Sequence, residues 1–220
     1  MSKSSRRRVR DKWRLKEWYD VYTPSYFGEL SVASIPCSDP SILIGRVVEN
    51  TLYDITNDFS HQSIKLHFLI IRVEGKKALT ILKGHEYSAD YLRSLVRRGT
   101  GRIDCIHGVK TKDGFTTRIS TVAFSRNRIR KSQEHAIRAV IRDIIEKKVK
   151  NLNYDQLCHE MIIGSAAKAG VGSDIYNLAK KIVPLRHVGL RKSKLISFPA
   201  KLMEQPEEKP KETPTQTSNQ

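Results

Sequence analysis

The spacing of apolar residues changes once along this chain, and the change separates two kinds of secondary structure. Between residues 29 and 125 apolar and polar residues tend to alternate, as at Ile64, Leu66 and Phe68. After Phe124 the apolar residues recur at helical spacing, at Ile137, Val140, Ile141, Ile144, Ile145 and Val149. A period of two is typical of half-buried strands, and a period of 3.6 is typical of an amphipathic helix. The sequence therefore predicts an α+β fold with strands first and helices after.

Turn signals divide the strand-rich region, residues 21–125, into hairpins. Thr111–Gly114 contains an Asp-Gly pair, which favours a two-strand hairpin, and Glu74–Gly75 turns another pair. Between these hairpins Ser88 can cap a short helix that Gly99 ends. Several short strands joined in this way predict a small barrel or a sandwich, and we take an antiparallel, barrel-like domain with one inserted helix as the expected fold.

The following region, residues 126–198, is predicted to be helical before the chain becomes extended again. Ser132, Asn153 and Ser173 are the candidate caps of three helices. Residues 185–198 read as a returning extended segment that is rich in basic residues.

The two ends of the chain have compositions that do not favour a packed core. Residues 1–20 form a basic arm for RNA, with eight Lys or Arg in the first 18 positions. Its aromatic residues Trp13, Trp18 and Tyr19 can stack on bases or anchor the arm to its own domain, and the sequence leaves both open. Residues 199–220 are rich in Pro, Glu, Thr and Gln, which predicts a disordered tail.

A net charge of +17, from 40 basic and 23 acidic residues, predicts a negatively charged partner. Nucleic acid is the first candidate, and a membrane surface or another polyanion is the alternative. The tail carries three Lys and four Glu, so the positive charge belongs to the rest of the chain. Four clusters concentrate it: Arg6, Arg7, Arg8 and Arg10; Arg93, Arg97, Arg98 and Arg102; Arg126, Arg128, Arg130 and Lys131; and Arg186, Arg191, Lys192 and Lys194. Arginine binds phosphate with two parallel hydrogen bonds and stacks on bases, so we predict that these residues other than Arg93, together with Trp13, bind RNA.

The third cluster stands directly before the long helix. Arg126, Arg128 and Arg130 are two residues apart, so in extended backbone their side chains would share one side. A helix start favours anions, and cations there are unfavourable unless a phosphate lies between. This arrangement predicts a phosphate contact.

Other local patterns do not support a catalytic or metal site. Cys37, Cys105 and Cys158 form no paired motif and are predicted to be small core residues. No histidine spacing fits a metal site, and no apolar run fits a leader peptide or a membrane span, so we expect neither metal nor cofactor, no small-molecule substrate and no membrane. Gly170–Ser173 resembles a phosphate-cradling turn, but Ile175 stands where a third glycine is needed. We interpret it as a connection between helices, with a contact to a backbone phosphate as a further option.

Three long stretches resemble a known family. They are "KGHEYSADYLRSLVRRGTGRID", "VKTKDGFTTRISTVAFSRNRIRKSQEHAIRAVIRDII" and "IVPLRHVGLRKSKLI". Together with the opening "KWRLKEWYDVYTPSYFG", they are similar to the archaeal and eukaryotic small-subunit ribosomal protein family called S-one-e or S-three-A-e. The resemblance extends over about residues 10–198, and the length of 220 residues is more similar to the archaeal members.

The resemblance implies a structural constituent of the small ribosomal subunit in the cytoplasm, which supports subunit assembly and translation. It places the protein on the platform, near the mRNA exit side and the 3′ end of the ribosomal RNA, with neighbouring ribosomal proteins and mRNA as further partners. It carries over no catalytic residue, metal or cofactor. The residues alone leave two alternatives, a free RNA-binding or RNA-chaperone factor of translation and an RNA-processing enzyme with an unrecognised site.

Overall fold

The computed structural model describes residues 12–164 and 170–199, and within them the fold is α+β, as predicted. One mixed sheet contains eight strands, and five α-helices accompany it in these residues. The strands are β1 Glu17–Tyr22, β2 Ser31–Cys37, β3 Val47–Thr51, β4 Ile64–Glu74, β5 Lys77–Tyr87, β6 Arg102–Lys110, β7 Thr116–Ser125 and β8 Leu185–Ser197. The helices are α1 Tyr53–Thr56, α2 Ala89–Leu95, α3 Lys131–Val149, α4 Tyr154–His159 and α5 Val171–Ala179, and a π-helical segment, Glu160–Gly164, continues α4.

Strand β5 is the centre of the sheet. The strand order is β2-β1-β5-β8-β7-β6, and β4 pairs with the other edge of β5 and carries β3 on its far side. Along one edge, β5 first pairs in parallel with β1 at Lys77–Leu79 and then antiparallel with β8 at Gly84–Glu86. The prediction of purely antiparallel pairing is therefore wrong for β1 and β5, because alternation along a strand contains no information on its direction.

The outer strands leave the sheet open. In the described ranges β3 pairs only with β4, and β6 pairs only with β7. The barrel-like arrangement that the sequence predicted is thus not confirmed. The short helix α2 lies between β5 and β6, where its Ser88 Oγ accepts a hydrogen bond from the Tyr91 N–H at 3.3 Å.

Two phenol groups occupy the gap where β5 changes partner from β1 to β8. The Leu82 N–H donates to Tyr26 Oη at 3.3 Å, and the Tyr154 hydroxyl donates to Leu82 O. A buried backbone group without a hydrogen bond is costly, so these two phenols replace the ladder bonds that a neighbouring strand would supply. Burial raises the pKa of both tyrosines, so they are neutral donors and acceptors.

The seam between β5 and β8 depends on a glycine and a buried histidine. A Cβ atom at Gly84 would lie 2.2 Å from the backbone oxygen of Ser193, so only glycine fits there. In the next position the buried His85 ring places Nδ1 2.7 Å from Ser193 Oγ and Nε2 3.1 Å from Leu190 O. Desolvation is the main cause that lowers the pKa of His85 to about 4, so the ring is neutral at pH 7.

Helix α3 packs on the sheet through its apolar stripe. Ile137, Ile141, Ile145 and Val149 are buried, at the four-residue spacing that keeps side chains on one helix face. Arg138 Nε donates to the backbone oxygen of Asp104 on β6 at 3.1 Å. These contacts place the helix N-terminus close to the start of β6.

The Asp-Gly hairpin is confirmed, and it has a second role. β6 and β7 pair antiparallel on either side of residues 111–115. Asp113 Oδ2 accepts a hydrogen bond from the Tyr154 N–H at 2.9 Å, at the first residue of α4. A carboxylate at a helix start stabilises free N–H groups, so the turn also positions α4.

Regular secondary structure is present within the segment that was predicted to be the basic arm, residues 1–20. Glu17–Tyr22 is strand β1, and Tyr19 is buried against the second, smaller apolar cluster of the domain. Trp13 and Trp18 remain about 60% exposed. Tyr19 is therefore the anchor among the three aromatic residues. Residues 1–11 and 200–220, which include the first arginine cluster and most of the predicted tail, lie outside the described residues.

The three cysteines are free and buried, which confirms their prediction as core residues. The main apolar core contains side chains from the strands as well as from α3, α4 and α5. Within residues 12–164 and 170–199, no helix combines the length and the apolarity that a bilayer crossing requires.

Candidate nucleic-acid interface

The second and third arginine clusters meet at one end of β6 and β7. The Gly101 N–H donates to Ser125 Oγ at 2.8 Å, and the Ser125 N–H donates to Gly101 O at 2.9 Å. A Cβ atom at Gly101 would lie 3.0 Å from the Ile129 side chain. The stretch that contains Arg97 and Arg98 thus lies directly beside the stretch that follows Ser125.

The start of β8 brings part of the fourth cluster to the same place. The Arg126 N–H donates to Pro184 O at 3.0 Å, and Leu185 pairs with Ser125. Arg186 follows immediately. We call this region the arginine-rich sheet end; it comprises Arg97, Arg98, Arg126, Arg128, Arg130 and Arg186.

The six arginines of this region have no carboxylate partner among the described residues. Arg97, Arg98 and the three arginines of residues 126–130 are exposed, and none of the six forms an ion pair with a described residue. Two cations beside them are different, since Arg102 Nε lies 3.0 Å from Asp104 and Lys131 Nζ lies 3.4 Å from Glu134. Exposed pairs of this kind contribute roughly 0–1 kcal/mol, so they leave these two cations available as well.

The backbone before α3 does not form the regular row that was predicted. It bends at Arg126–Asn127, and Ser125 Oγ donates to Asn127 O at 2.5 Å. Helix α3 begins at Lys131, so the predicted cap Ser132 lies inside the helix and Arg130 is the N-cap. Gln133 Oε1 accepts from the Arg130 N–H at 3.1 Å, but an arginine side chain has no acceptor for the first-turn N–H groups. The helix start therefore remains suited to an external anion.

The rest of the fourth cluster lies elsewhere. Lys194 stands eight positions after Arg186 along the strand, which corresponds to about 26 Å. Lys192 Nζ is bonded to Glu86 at 2.6 Å, and Arg191 is half-buried. Arg186 and Lys194 were predicted to belong to one cluster because they are close in sequence, but a strand of this length places them far apart.

A cation that the sequence reasoning missed lies opposite Lys194. Arg118 of β7 pairs with Lys194 of β8, and both side chains are exposed on the same face of the sheet. Neither forms an ion pair with any residue the structure describes. The alternation in β7, where Ile119 is buried, could have placed Arg118 on the outer face.

Trp13 is the predicted aromatic contact that the structure describes. It lies in a 3₁₀ segment, Lys12–Leu15, directly before β1, and Lys16 Nζ lies 4.1 Å from the centre of its ring. An exposed ring beside an ammonium group can stack on a base while the cation meets its phosphate.

These features define a class: a basic α+β protein whose arginines meet at one sheet end, where no carboxylate of a described residue pairs with them. In residues 12–164 and 170–199 no group of three or more His, Cys, Asp or Glu side chains could hold a metal ion. The chain belongs to the Ribosomal S3Ae family, whose model matches residues 4–199.

Curated archaeal proteins support this membership over nearly the whole chain. One from Desulfurococcus amylolyticus, named small ribosomal subunit protein eS1, is 44% identical over 200 residues, which is 91% of this chain and 92% of the relative. Proteins with the same name from Aeropyrum pernix and Saccharolobus solfataricus are 44% and 42% identical, over 87% and 90% of this chain and 89% and 93% of the relatives. The family resemblance of the three sequence stretches is thus confirmed.

Proposed function

We propose that this chain is a structural constituent of the small ribosomal subunit and binds ribosomal RNA through the arginine-rich sheet end. The single observation that carries the proposal is the meeting of arginines from three separate stretches, Arg97–Arg98, Arg126–Arg130 and Arg186, with no ion pair to a described residue. The family membership and the printed names of the relatives support the same role.

RNA backbone is the partner that this charge pattern fits. Arginine binds phosphate oxygens with parallel hydrogen bonds, and its planar group stacks on unpaired bases. Each phosphate that a cation neutralises releases counterions, so binding weakens steeply with salt. A protein that neutralises six to ten phosphates would lose roughly 10³–10⁵-fold in affinity between 50 and 200 mM salt.

The finer parts of the proposal concern location and partners. We propose that the protein lies on the platform, near the mRNA exit side and the RNA 3′ end, beside other small-subunit proteins, and that it supports assembly and translation. We propose that the chain is divided into four parts. These are the arm with Arg6, Arg7, Arg8 and Arg10, the strand-rich part to residue 125, the part from 126 to 198, and the tail. Crosslinking in intact small subunits, followed by mapping of the linked nucleotides, tests the location directly.

The central test removes the cations before α3. We expect the triple variant Arg126→Ala, Arg128→Ala and Arg130→Ala to bind small-subunit RNA more weakly and with a salt dependence whose slope is smaller by about 2–3, because up to three phosphate contacts are lost. Filter binding of the full-length chain at several salt concentrations measures both quantities.

A matched control removes the same charge from paired cations outside the arginine clusters and the arginine-rich sheet end. Lys65, Arg72 and Lys76 pair with Glu49, Glu74 and Glu17. Their triple alanine variant should bind RNA nearly as the wild type does. Equal losses in both variants would show that net charge matters and that the arginine-rich sheet end has no special role.

Sedimentation separates the proposal from the free-factor alternative. A structural constituent should remain with small subunits in a sucrose gradient after a high-salt wash. A chain that binds RNA yet appears only at the top of the gradient would be a free RNA-binding or RNA-chaperone factor.

A further inference from the structure

A cavity of about 640 Å³ lies behind the arginine-rich sheet end. It is enclosed by the end of β5, helix α2, the start of β8, the first turn of α5 and the loop before β4. The side chains that matter to its chemistry are those of Ser63, Tyr87, Tyr91, Ser173, Arg186 and His187. Its volume falls within the range of roughly 300–1,000 Å³ that small-ligand pockets have.

Arg186 is the only arginine or lysine among the described residues that line this cavity. Both terminal guanidinium nitrogens are buried, and neither makes a hydrogen bond to a described residue. The guanidinium carbon instead lies 6.0 Å from the centre of the Phe124 ring. A guanidinium group keeps its charge in proteins, and a buried charge without a partner is costly. The environment of Arg186 therefore favours an anion as its partner.

The other cavity walls suit the same kind of ligand. Gly172 and Ser173 belong to the first turn of the nine-residue helix α5, where the helix dipole favours negative charge. Ser60 and Ser63 contribute hydroxyl groups from the loop before β4. None of the described residues that line the cavity is acidic, so no carboxylate competes for the guanidinium group.

Aromatic rings form the remaining wall. The Tyr91 ring lies edge-to-face with Tyr87, at 5.3 Å between ring centres, and with His187, at 6.2 Å. Gly189 makes room for this arrangement, since a Cβ atom there would lie 2.6 Å from Tyr87 Oη and 3.0 Å from His187 Nε2. Burial and the neighbouring Arg186 lower the pKa of His187, so the ring is a neutral hydrogen-bonding surface at pH 7. Its Nε2 is buried and makes no hydrogen bond within the described ranges.

We propose that this cavity receives one unpaired nucleotide of ribosomal RNA, with its phosphate between Arg186 and the first turn of α5 and its base against Tyr91 and His187. Arg186 reaches the phosphate when its guanidinium group turns away from the Phe124 ring. Proteins read single-stranded RNA by stacking splayed bases on aromatic rings and arginine, which is the combination present here. The proposal extends the RNA-binding function proposed above to one defined subsite.

The first test uses the purified full-length chain and three probes: adenosine 5′-monophosphate, inorganic phosphate and adenosine. Labelled histidine side chains report binding by NMR, and we expect the monophosphate to shift the His187 signals at lower concentration than either fragment. Arg186→Gln should weaken monophosphate binding by about ten-fold or more, because it removes a charge-assisted bidentate contact. Arg142→Gln, at an exposed position on α3, is the matched control and should bind as the wild type does.

A stability measurement shows whether Arg186→Gln weakens the fold itself. Since Arg186→Gln removes an unpaired buried charge, its melting temperature should equal or exceed that of the wild type. A lower melting temperature would mean that Arg186 supports the fold through a partner of its own, and it would overturn the proposal. Unchanged monophosphate affinity in Arg186→Gln would overturn it equally.

The second test works in the assembled particle and distinguishes ribosomal RNA from other sources. A photoreactive phenylalanine analogue at Tyr91, in small subunits, should crosslink to one site in the RNA, whereas the same analogue at Tyr53 should not give that product. Crosslinks from Tyr91 only to a protein would overturn the nucleotide proposal in favour of a protein ligand. If the wild-type chain stays in small subunits but both tests fail, the cavity proposal is wrong and the ribosomal function stands; if the chain does not associate with small subunits, the proposed function itself is wrong.

Discussion

The buried ring of His85 should make the stability of this domain depend on pH. Its pKa is about 4 in the folded chain, against 6.5 for the free side chain, mainly because burial disfavours the charged form. Leu190 O can only accept, so Nε2 carries the proton and Nδ1 accepts from the Ser193 hydroxyl. A second proton on the ring would make Nδ1 a donor, so the Ser193 hydroxyl could no longer donate to it.

The size of the effect follows from the two pKa values. Between pH 6.5 and pH 4 the unfolded chain binds a proton at His85 that the folded chain does not, so stability falls as the pH falls through this window. For this single group the loss relative to pH 7 is about 2 kcal/mol at pH 5 and about 3 kcal/mol at pH 4.

Urea unfolding of the full-length chain at pH 7 and pH 5 measures this loss. In His85→Gln the amide can still donate to Leu190 O, but the side chain no longer titrates. The wild type should therefore lose about 2 kcal/mol more than this variant between the two pH values. His135→Gln, at an exposed position on α3, should keep the wild-type pH dependence. If His85→Gln were as sensitive to acid as the wild type, the buried ring would not be the cause.

Two further predictions concern the contacts of β5. Gly84→Ala should lower the free energy of unfolding by about 3 kcal/mol or more, because the new Cβ atom would overlap Ser193 O. The control variant Gly108→Ala has open space around the new Cβ atom. In the same denaturation assay it should change the free energy of unfolding by about 0.5 kcal/mol or less. Tyr154→Phe should cost about 1–3 kcal/mol, since it leaves the buried Leu82 carbonyl without its hydrogen bond, and a change within error in urea unfolding would contradict that role.

Local patterns predicted local structure well in this chain. The Asp-Gly pair of Thr111–Gly114 specified the β6–β7 hairpin, and the spacing from Ile137 to Val149 specified the buried face of α3. In both cases the residues that determine the structure are close in sequence. Strand β1 was missed because its neighbours are basic, although Tyr19 and Val21 alternate in the pattern of a buried strand face.

The pairing of strands that lie far apart along the chain could not be predicted from a single sequence. The position of β8 between β5 and β7, and the parallel pair of β1 with β5, depend on partners far apart along the chain. The cavity follows the same rule, since Ser63, Tyr91 and Arg186 come from three separate regions. Composition therefore predicted that arginines would bind an anion, but only the fold indicates which of them lie together.

The central place of β8 has a consequence for how this protein is made. The bond between His85 and Ser193 joins residues 108 positions apart. At a synthesis rate of 5–20 residues per second, β5 emerges roughly 5–20 s before the strand that covers its edge. During that interval the nascent chain presents unpaired strand edges, which are templates for wrong partners. Wrong strand pairing is therefore a risk in the seconds before β8 is translated.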